Sequence, residues 1–319
     1  MRRFVYTIVA ILLMPSMVAQ AETYPSKPVR LLVGYSAGGG MDTIARVLAQ
    51  KLGDNLGVSV VVENRPGATS TLAAAAVAQA SPDGYTLLLG ETGLLLAPVL
   101  FASLPFDLTK SFAPVGYVGK IPMAFAVTNS FPAKTTQELI AAIKTAPGTY
   151  NYGSPGVGTL QHLAFEQFKR AAGLDAQHVP YKGGSNFSPD LIAGRLQMAV
   201  MSSSVAISLG RSGNARVIAV TSLDRSSNLP EVPTIAEVIP NFDMSARIFL
   251  AAPAGTPDAV IYRLEQAISL TLNDKDLQDR FADQGATVMA STPADARREL
   301  IDEIERWTSV ARSLGMKPQ

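Results

Sequence analysis

From residue 29 onward, short apolar runs alternate with longer stretches in which apolar positions recur every three or four residues. Residues 29–35 (VRLLVGY) read as a buried strand, and residues 41–52 place Ile44, Val47, Leu48 and Leu52 on one helical face. Residues 58–63 predict a second strand, 72–80 a helix of small residues, and 85–90 (YTLLLG) a third strand. A βαβαβ order of this kind predicts a parallel sheet wrapped by helices.

After Pro114, residues 115–118 and 123–127 are two extended pieces separated by Gly119-Lys120-Ile121-Pro122, which predicts a crossing into a second lobe. A new alternating set opens at Thr135-x-x-Glu138, the spacing at which each side chain satisfies an orphan backbone amide. It runs through strand 150–152, helix 157–171, strand 177–180, a helix near 189–193, and strands 197–201 and 216–221. The proline-punctuated stretch 229–240 precedes strand 248–252, the return crossing. Thr256-Pro257 and Thr292-Pro293 each set a capping hydroxyl before a proline at a first helical position, and the helices they open finish the chain. Leu300, Ile304, Trp307 and Ala311 make a core stripe on the last helix. Two α/β lobes joined by two crossings form a hinge, with ligands expected in the cleft at the carboxyl ends of the strands.

The N-terminus changes the picture of where the chain works. Met1-Arg2-Arg3 is basic, residues 4–14 are almost wholly apolar, and Ala19-Gln20-Ala21 has the small-x-small pattern of a cleavage site, so a secretory signal removed after Ala21 is expected. The apolar run is too short for a bilayer, which needs about 20 residues. A periplasmic protein is therefore expected. The chain has no cysteine, which excludes a lipid-anchored cysteine and a disulfide framework. Its formal net charge of +1 falls to −1 when Arg2 and Arg3 leave, so neither nucleic acid nor an anionic membrane surface is indicated as a partner.

Several colinear stretches carry a resemblance: residues 24–29 (YPSKPV), 38–42 (GGGMD), 60–68 (VVVENRPGA), 81–90 (SPDGYTLLLG), 151–168 (NYGSPGVGTLQHLAFEQF), 179–184 (VPYKGG), 229–237 (LPEVPTIAE) and 252–257 (APAGTP). Together they resemble the Bug family, the TctC-like extracytoplasmic receptors of tripartite tricarboxylate transporters. The resemblance implies a two-lobed type II periplasmic-binding-protein fold, the flytrap, with lobe 1 built from residues 22–121 and 246–319 and lobe 2 from 122–245. It also implies a small carboxylate ligand (a di- or tricarboxylate, an acidic amino acid or an aromatic acid), a large and a small membrane subunit as partners, a monomeric receptor and no cofactor.

A carboxylate site needs hydrogen-bond donors more than side-chain chemistry. Tyr35, Ser36, Ala37, Gly38 and Gly39 join the first strand to the first helix, where orphan amides and the helix dipole favour an anion by about 0.3–1 kcal/mol. Ser154, Gly158 and Thr159 belong to a second glycine-rich turn in the other lobe. Thr92, Tyr181, Ser202 and Ser203 follow strands and are expected at the cleft, and Lys182 is a weaker candidate beside them. Arg247 stands where many family members carry Trp, with Phe249 at a Gly; it is read either as a bidentate carboxylate clamp or as a surface ion pair with Asp243 or another acidic neighbour. Asp42, in the first turn of the first helix, is read as structural, because an acid there meets the dipole but repels an anion.

Two rival readings remain open at this point. Gly34-x-Ser36-x-Gly38 has the nucleophile-elbow pattern of a serine hydrolase, but the histidines, His162 and His178, come too early for its triad. His162 and Glu166 are spaced for a metal yet too few to hold zinc, so no metal site is expected. A flytrap-fold sensor without a transport role also fits the sequence.

Overall fold

The computed structural model describes residues 24–181, 186–226 and 228–316. The expected signal segment with its cleavage point, and Lys182, lie outside the described residues. Eleven strands are present: β1 Val29–Val33, β2 Val60–Asn64, β3 Thr86–Glu91, β4 Phe112–Ile121, β5 Met123–Val127, β6 Asn151–Ser154, β7 Gln177–Pro180, β8 Met198–Ser202, β9 Arg216–Val220, β10 Ala246–Pro253 and β11 Thr287–Val288. The helices are α1 Gly40–Leu56, α2 Thr71–Ala78, α3 Thr92–Leu95, α4 Ala97–Leu100, α5 Thr136–Thr145, α6 Leu160–Ala172, α7 Ser188–Ile192, α8 Ser203–Arg211, α9 Asp258–Leu272, α10 Lys275–Asp283 and α11 Pro293–Ser313.

The strands form two sheets, ordered β11-β4-β10-β3-β1-β2 and β7-β6-β8-β5-β9. The two repeat one design. In each, a first strand lies between its second and third as parallel neighbours, and a strand arriving from the other half of the chain runs antiparallel beside the third. Pro122 separates β4 in one sheet from β5 in the other, and residues 221–245 return the chain from β9 to β10. At the first strand of each order the connections depart to opposite faces, which opens a crevice at the strands' carboxyl ends.

Helices cover both faces of each sheet, which explains why the strands are nearly continuous apolar runs. The buried face under α1, α9 and α10 is built on Leu31, Val33, Ile44, Leu48, Leu52, Leu264 and Phe281. Its opposite face packs Leu32, Leu88, Tyr117 and Phe249 under α2, α3 and α11. In the second lobe, Phe125, Tyr152, Phe165 and Phe168 pack beneath α5 and α6, while Phe187, Leu191 and Leu209 cover the other side. No helix among the described residues is long and apolar enough to cross a membrane.

Three local expectations come out differently. Helix α9 is capped at Pro257 without a side-chain bond, because the Thr256 hydroxyl donates back to the Pro253 carbonyl instead (2.8 Å). Strand β8 runs on to Ser202, one residue past the expected end at Met201, and α8 begins directly at Ser203. The stripe on α11 divides: Ala296 and Leu300 lie in the first lobe's core, but Trp307 is fully buried in the second lobe's core. The last helix therefore straps one lobe to the other.

Candidate functional site

Each lobe directs one strand-to-helix turn into the space between the sheets. From β1 the chain passes Tyr35-Ser36-Ala37-Gly38 and enters α1 with Gly39 as its N-cap, and no side chain caps that end. The amides of Gly40 and Met41 are left without a helical partner and form no hydrogen bond among the described residues. The turn is held by Asp42, which lies outside the cavity lining. Its carboxylate accepts from the Gly38 amide (2.9 Å), Arg46 Nε (2.9 Å) and Asn64 Nδ2 (2.8 Å). These partners, Arg46 foremost, hold its carboxyl down at about 2.

In the other lobe β6 ends at Ser154, and residues 155–159 lead into α6. Thr159 is the N-cap; its hydroxyl accepts from the His162 amide (3.4 Å) and donates to the Gly156 carbonyl (2.8 Å). The Leu160 and Gln161 amides form no hydrogen bond among the described residues. Gly158 has φ +80°, and a Cβ there would lie 2.6 Å from the Leu100 side chain of α4. Only glycine lets this turn approach the opposite lobe so closely.

Between the turns lies a cavity of about 880 Å³. Tyr35, Ser36, Ala37, Gly38 and Gly39 line it from one side, and Gly158, Thr159 and Ser202 from the other. Leu96, Leu100, Ile121, Met123 and Val157 supply apolar walls. Among the described lining residues there is no lysine, arginine or histidine.

The remaining sequence candidates lie outside the lining. Thr92 is fully buried, its hydroxyl accepting from the Arg247 amide (2.8 Å). Ser154 is buried beneath the second turn against His178 Nε2 (2.7 Å), Tyr181 donates to Asp190 (2.8 Å), and Ser203 donates to the Pro122 carbonyl. Arg247 is drawn to the α11 side, where Glu299 (2.9 Å), Glu303 (3.2 Å) and Asp243 (3.7 Å) surround its guanidinium. Three carboxylates leave it no unpaired charge to offer a ligand. These surroundings are those of the ion-pair alternative, Asp243 joined by two other acidic neighbours.

Sequence reasoning missed Thr69, Glu91, Gly93, Gln161 and Gln284 in the lining. Thr69 sits in Ala68-Thr69-Ser70, three successive non-glycine residues with φ of 46°, 53° and 68°. Backbone strain of this kind persists only where surroundings enforce it. Gly34 is one such surrounding, since a Cβ there would collide with the Ser70 side chain. The available signal was the Pro66-Gly67 break just before the strained triplet.

Beneath the second turn, His162 and His178 stack at 4.1 Å, and His162 Nδ1 accepts from the Gly158 amide (3.2 Å). Burial, followed by the neighbouring His162, pulls the His178 imidazole down to about 4. A depressed base is neutral in the fold while the unfolded chain protonates, so its contribution is present above about pH 6.5 and lost as pH falls towards 4. Allowing for partial exposure, about 2 kcal/mol should disappear over that window. Glu303 acts in the opposite sense: burial pushes its carboxyl up to about 7, so its contribution falls as pH rises from about 4.5 to 7. The two oppose each other between about pH 4.5 and 6.5. Thermal melts of His178→Gln, which keeps a partner for Ser154, should accordingly gain stability relative to wild type below pH 5.5; parallel profiles for the two proteins would refute the assignment.

Two α/β lobes, two crossings and an inter-lobe cavity overlooked by two helix N-termini define a solute-binding receptor of the flytrap type. The family model described as "Tripartite tricarboxylate transporter family receptor" (TctC) matches residues 44–316, and the chain belongs to that family. It is similar to Protein BugT of Bordetella pertussis, with 36% identity over 93% of this chain and 92% of the relative. Among solved structures it resembles the periplasmic binding protein BugD (31% identity, TM-score 0.77, covering 93% of this chain and 100% of that one). It also resembles a Rhodopseudomonas palustris protein solved with adipate (30%, 0.80, 93% and 100%) and MatC of the same organism with bound malate (29%, 0.74, 90% and 99%). The protein is a periplasmic solute-binding receptor and not an enzyme. The elbow motif at Ser36 has no histidine beside it: both imidazoles are engaged in the other lobe.

Proposed function

We propose that this receptor captures one small organic carboxylate between its lobes, residues 22–121 with 246–319 and residues 122–245, and delivers it to the large and small membrane subunits of a tripartite tricarboxylate transporter. It works as a monomer, exported by a signal cleaved after Ala21. One observation carries the reading: two helix N-termini from different lobes, α1 and α6, both open onto a cavity whose described lining carries no cationic side chain. Such a site attracts an anion with backbone donors, here the amides of Gly40, Met41, Leu160 and Gln161, helped by the Ser36 and Ser202 hydroxyls, with Thr159 shaping the second turn. That relatives were solved with malate and adipate supports the ligand class.

Several neutral hydrogen bonds near 1 kcal/mol each and two or three charge-assisted ones, offset by ordering, are consistent with about 8 kcal/mol, or micromolar affinity. A carboxylate at a hundredfold excess over its Kd should then stabilise the fold by about 2.7 kcal/mol. The test is a thermal-shift panel of organic acids, amino acids and neutral sugars on protein stripped by unfolding and refolding. Stabilisation by sugars alone would reject the carboxylate reading. Small-angle scattering should also record a smaller radius of gyration with saturating ligand, and an unchanged radius would reject closure about the hinge.

A further inference from the structure

Glu91 ends β3 on the cavity wall, half-buried and reached from the cavity. Its Oε1 accepts from the Tyr35 hydroxyl and from the Gly93 amide (3.1 Å). A Cβ at Gly93 would collide with that same oxygen, so the glycine leaves room for the carboxyl where it stands. Oε2 has no hydrogen-bond partner among the described residues. No lysine, arginine or histidine of the described lining neutralises it, and the other acidic lining side chain, Tyr35, is a phenol held protonated by burial. A carboxyl fixed by two donors, with one oxygen open to a cavity whose described lining holds no cation, calls for its counterpart on the ligand.

The two helix N-termini favour negative charge, whereas Glu91 favours a cation or donor. Burial pushes the Glu91 carboxyl above its ordinary range, so a second carboxylate beside it would meet a like charge or hold Glu91 protonated, whereas an ammonium there favours the ionised carboxylate that burial disfavours. Building on the carboxylate reading above, we propose that the ligand is an amino-carboxylate, its carboxylate at the α1 and α6 amides and its ammonium hydrogen-bonded to Glu91. Glu91 is then the residue that selects ammonium-bearing acids over dicarboxylates of the same length, and Tyr35 and Gly93 orient it. The ammonium–carboxylate contact is charge-assisted, about twice the strength of a neutral bond, and supplies a discrimination that backbone amides alone lack.

The test compares matched pairs by calorimetric titration on refolded protein: β-alanine with malonate, 4-aminobutyrate with succinate, 6-aminohexanoate with adipate, and L-aspartate with succinate. The expected result is tighter binding of the ammonium-bearing member in at least one pair. Glu91→Gln, which keeps an acceptor for Tyr35 and Gly93, should weaken that ligand by about 10–100-fold and leave its dicarboxylate partner unchanged or tighter. Tyr35→Phe, with a thermal melt to establish folding, should weaken the amino-carboxylate in the same direction and by less. Preference for the dicarboxylate throughout, or equal losses for both members in Glu91→Gln, would overturn the assignment of Glu91 and leave the carboxylate reading intact. If no acid of either kind binds wild type, the carboxylate reading fails first and this inference with it.

Discussion

Replacing Trp307 by alanine is expected to remove about 3–5 kcal/mol of stability, the usual cost of emptying a large aromatic site in a core. The residue is fully buried although it belongs to a helix whose first half serves the other lobe. Its ring packs in the cluster of Phe125, Phe165 and Phe168, and the Arg306 guanidinium covers it at 4.7 Å. The indole nitrogen has no hydrogen-bond partner among the described residues, so apolar packing is what holds it. Trp307→Phe should therefore lose far less than Trp307→Ala, since it keeps a ring and removes the unpaired donor. Urea unfolding would read both variants: a lower midpoint at an unchanged slope signals a packing loss. A cost below about 1 kcal/mol for the alanine variant would mean that α11 does not bind the lobes together through this side chain.

The divided role of α11 also marks where sequence stopped being informative. Its stripe of Leu300, Ile304, Trp307 and Ala311 has helical spacing, and spacing reports which residues face a core without saying which core. The lobes themselves were legible because β1, β3 and β5 are largely apolar runs and Pro122 separates β4 from β5. The turns after β1 and β6 were legible because glycine is required where φ is positive or chains approach closely, as at Gly38 and Gly158. Side-chain partners were not. Thr92 and Tyr181 follow strands as expected, and Ser154 ends β6 at the expected turn, but the three are bound to the Arg247 amide, Asp190 and His178, residues distant enough in sequence that no local pattern announces them. Glu91 was missed for the converse reason: an acid in an anion receptor looks misplaced until its donors, Tyr35 and Gly93, are seen around it.

Asp42→Ala is expected to destabilise the fold by about 2–3 kcal/mol and to weaken every carboxylate ligand alike. Breaking a buried charge pair costs about 3–5 kcal/mol, but Arg46 is 54% exposed and regains water, which lowers the figure. Asp42 has only 3% exposure yet lies close to the molecular surface, covered mainly by the partners it binds, so the same hydrogen bonds account for both its burial and its acidity. With the carboxyl held at about 2 in the fold, its stabilisation is fully present above about pH 4 and is lost as pH falls through 2. The gap between variant and wild type should narrow on acidification. The loss of affinity follows from the Gly38 amide: once released from Asp42, the turn before α1 is no longer held in the geometry that presents the Gly40 and Met41 amides. Because Asp42 acts through the backbone and lies outside the lining, amino-carboxylates and dicarboxylates should lose the same factor, of about tenfold or more. A ligand-dependent loss would instead put Asp42 in contact with the ligand, and unaltered affinity would mean that the turn keeps its shape without it.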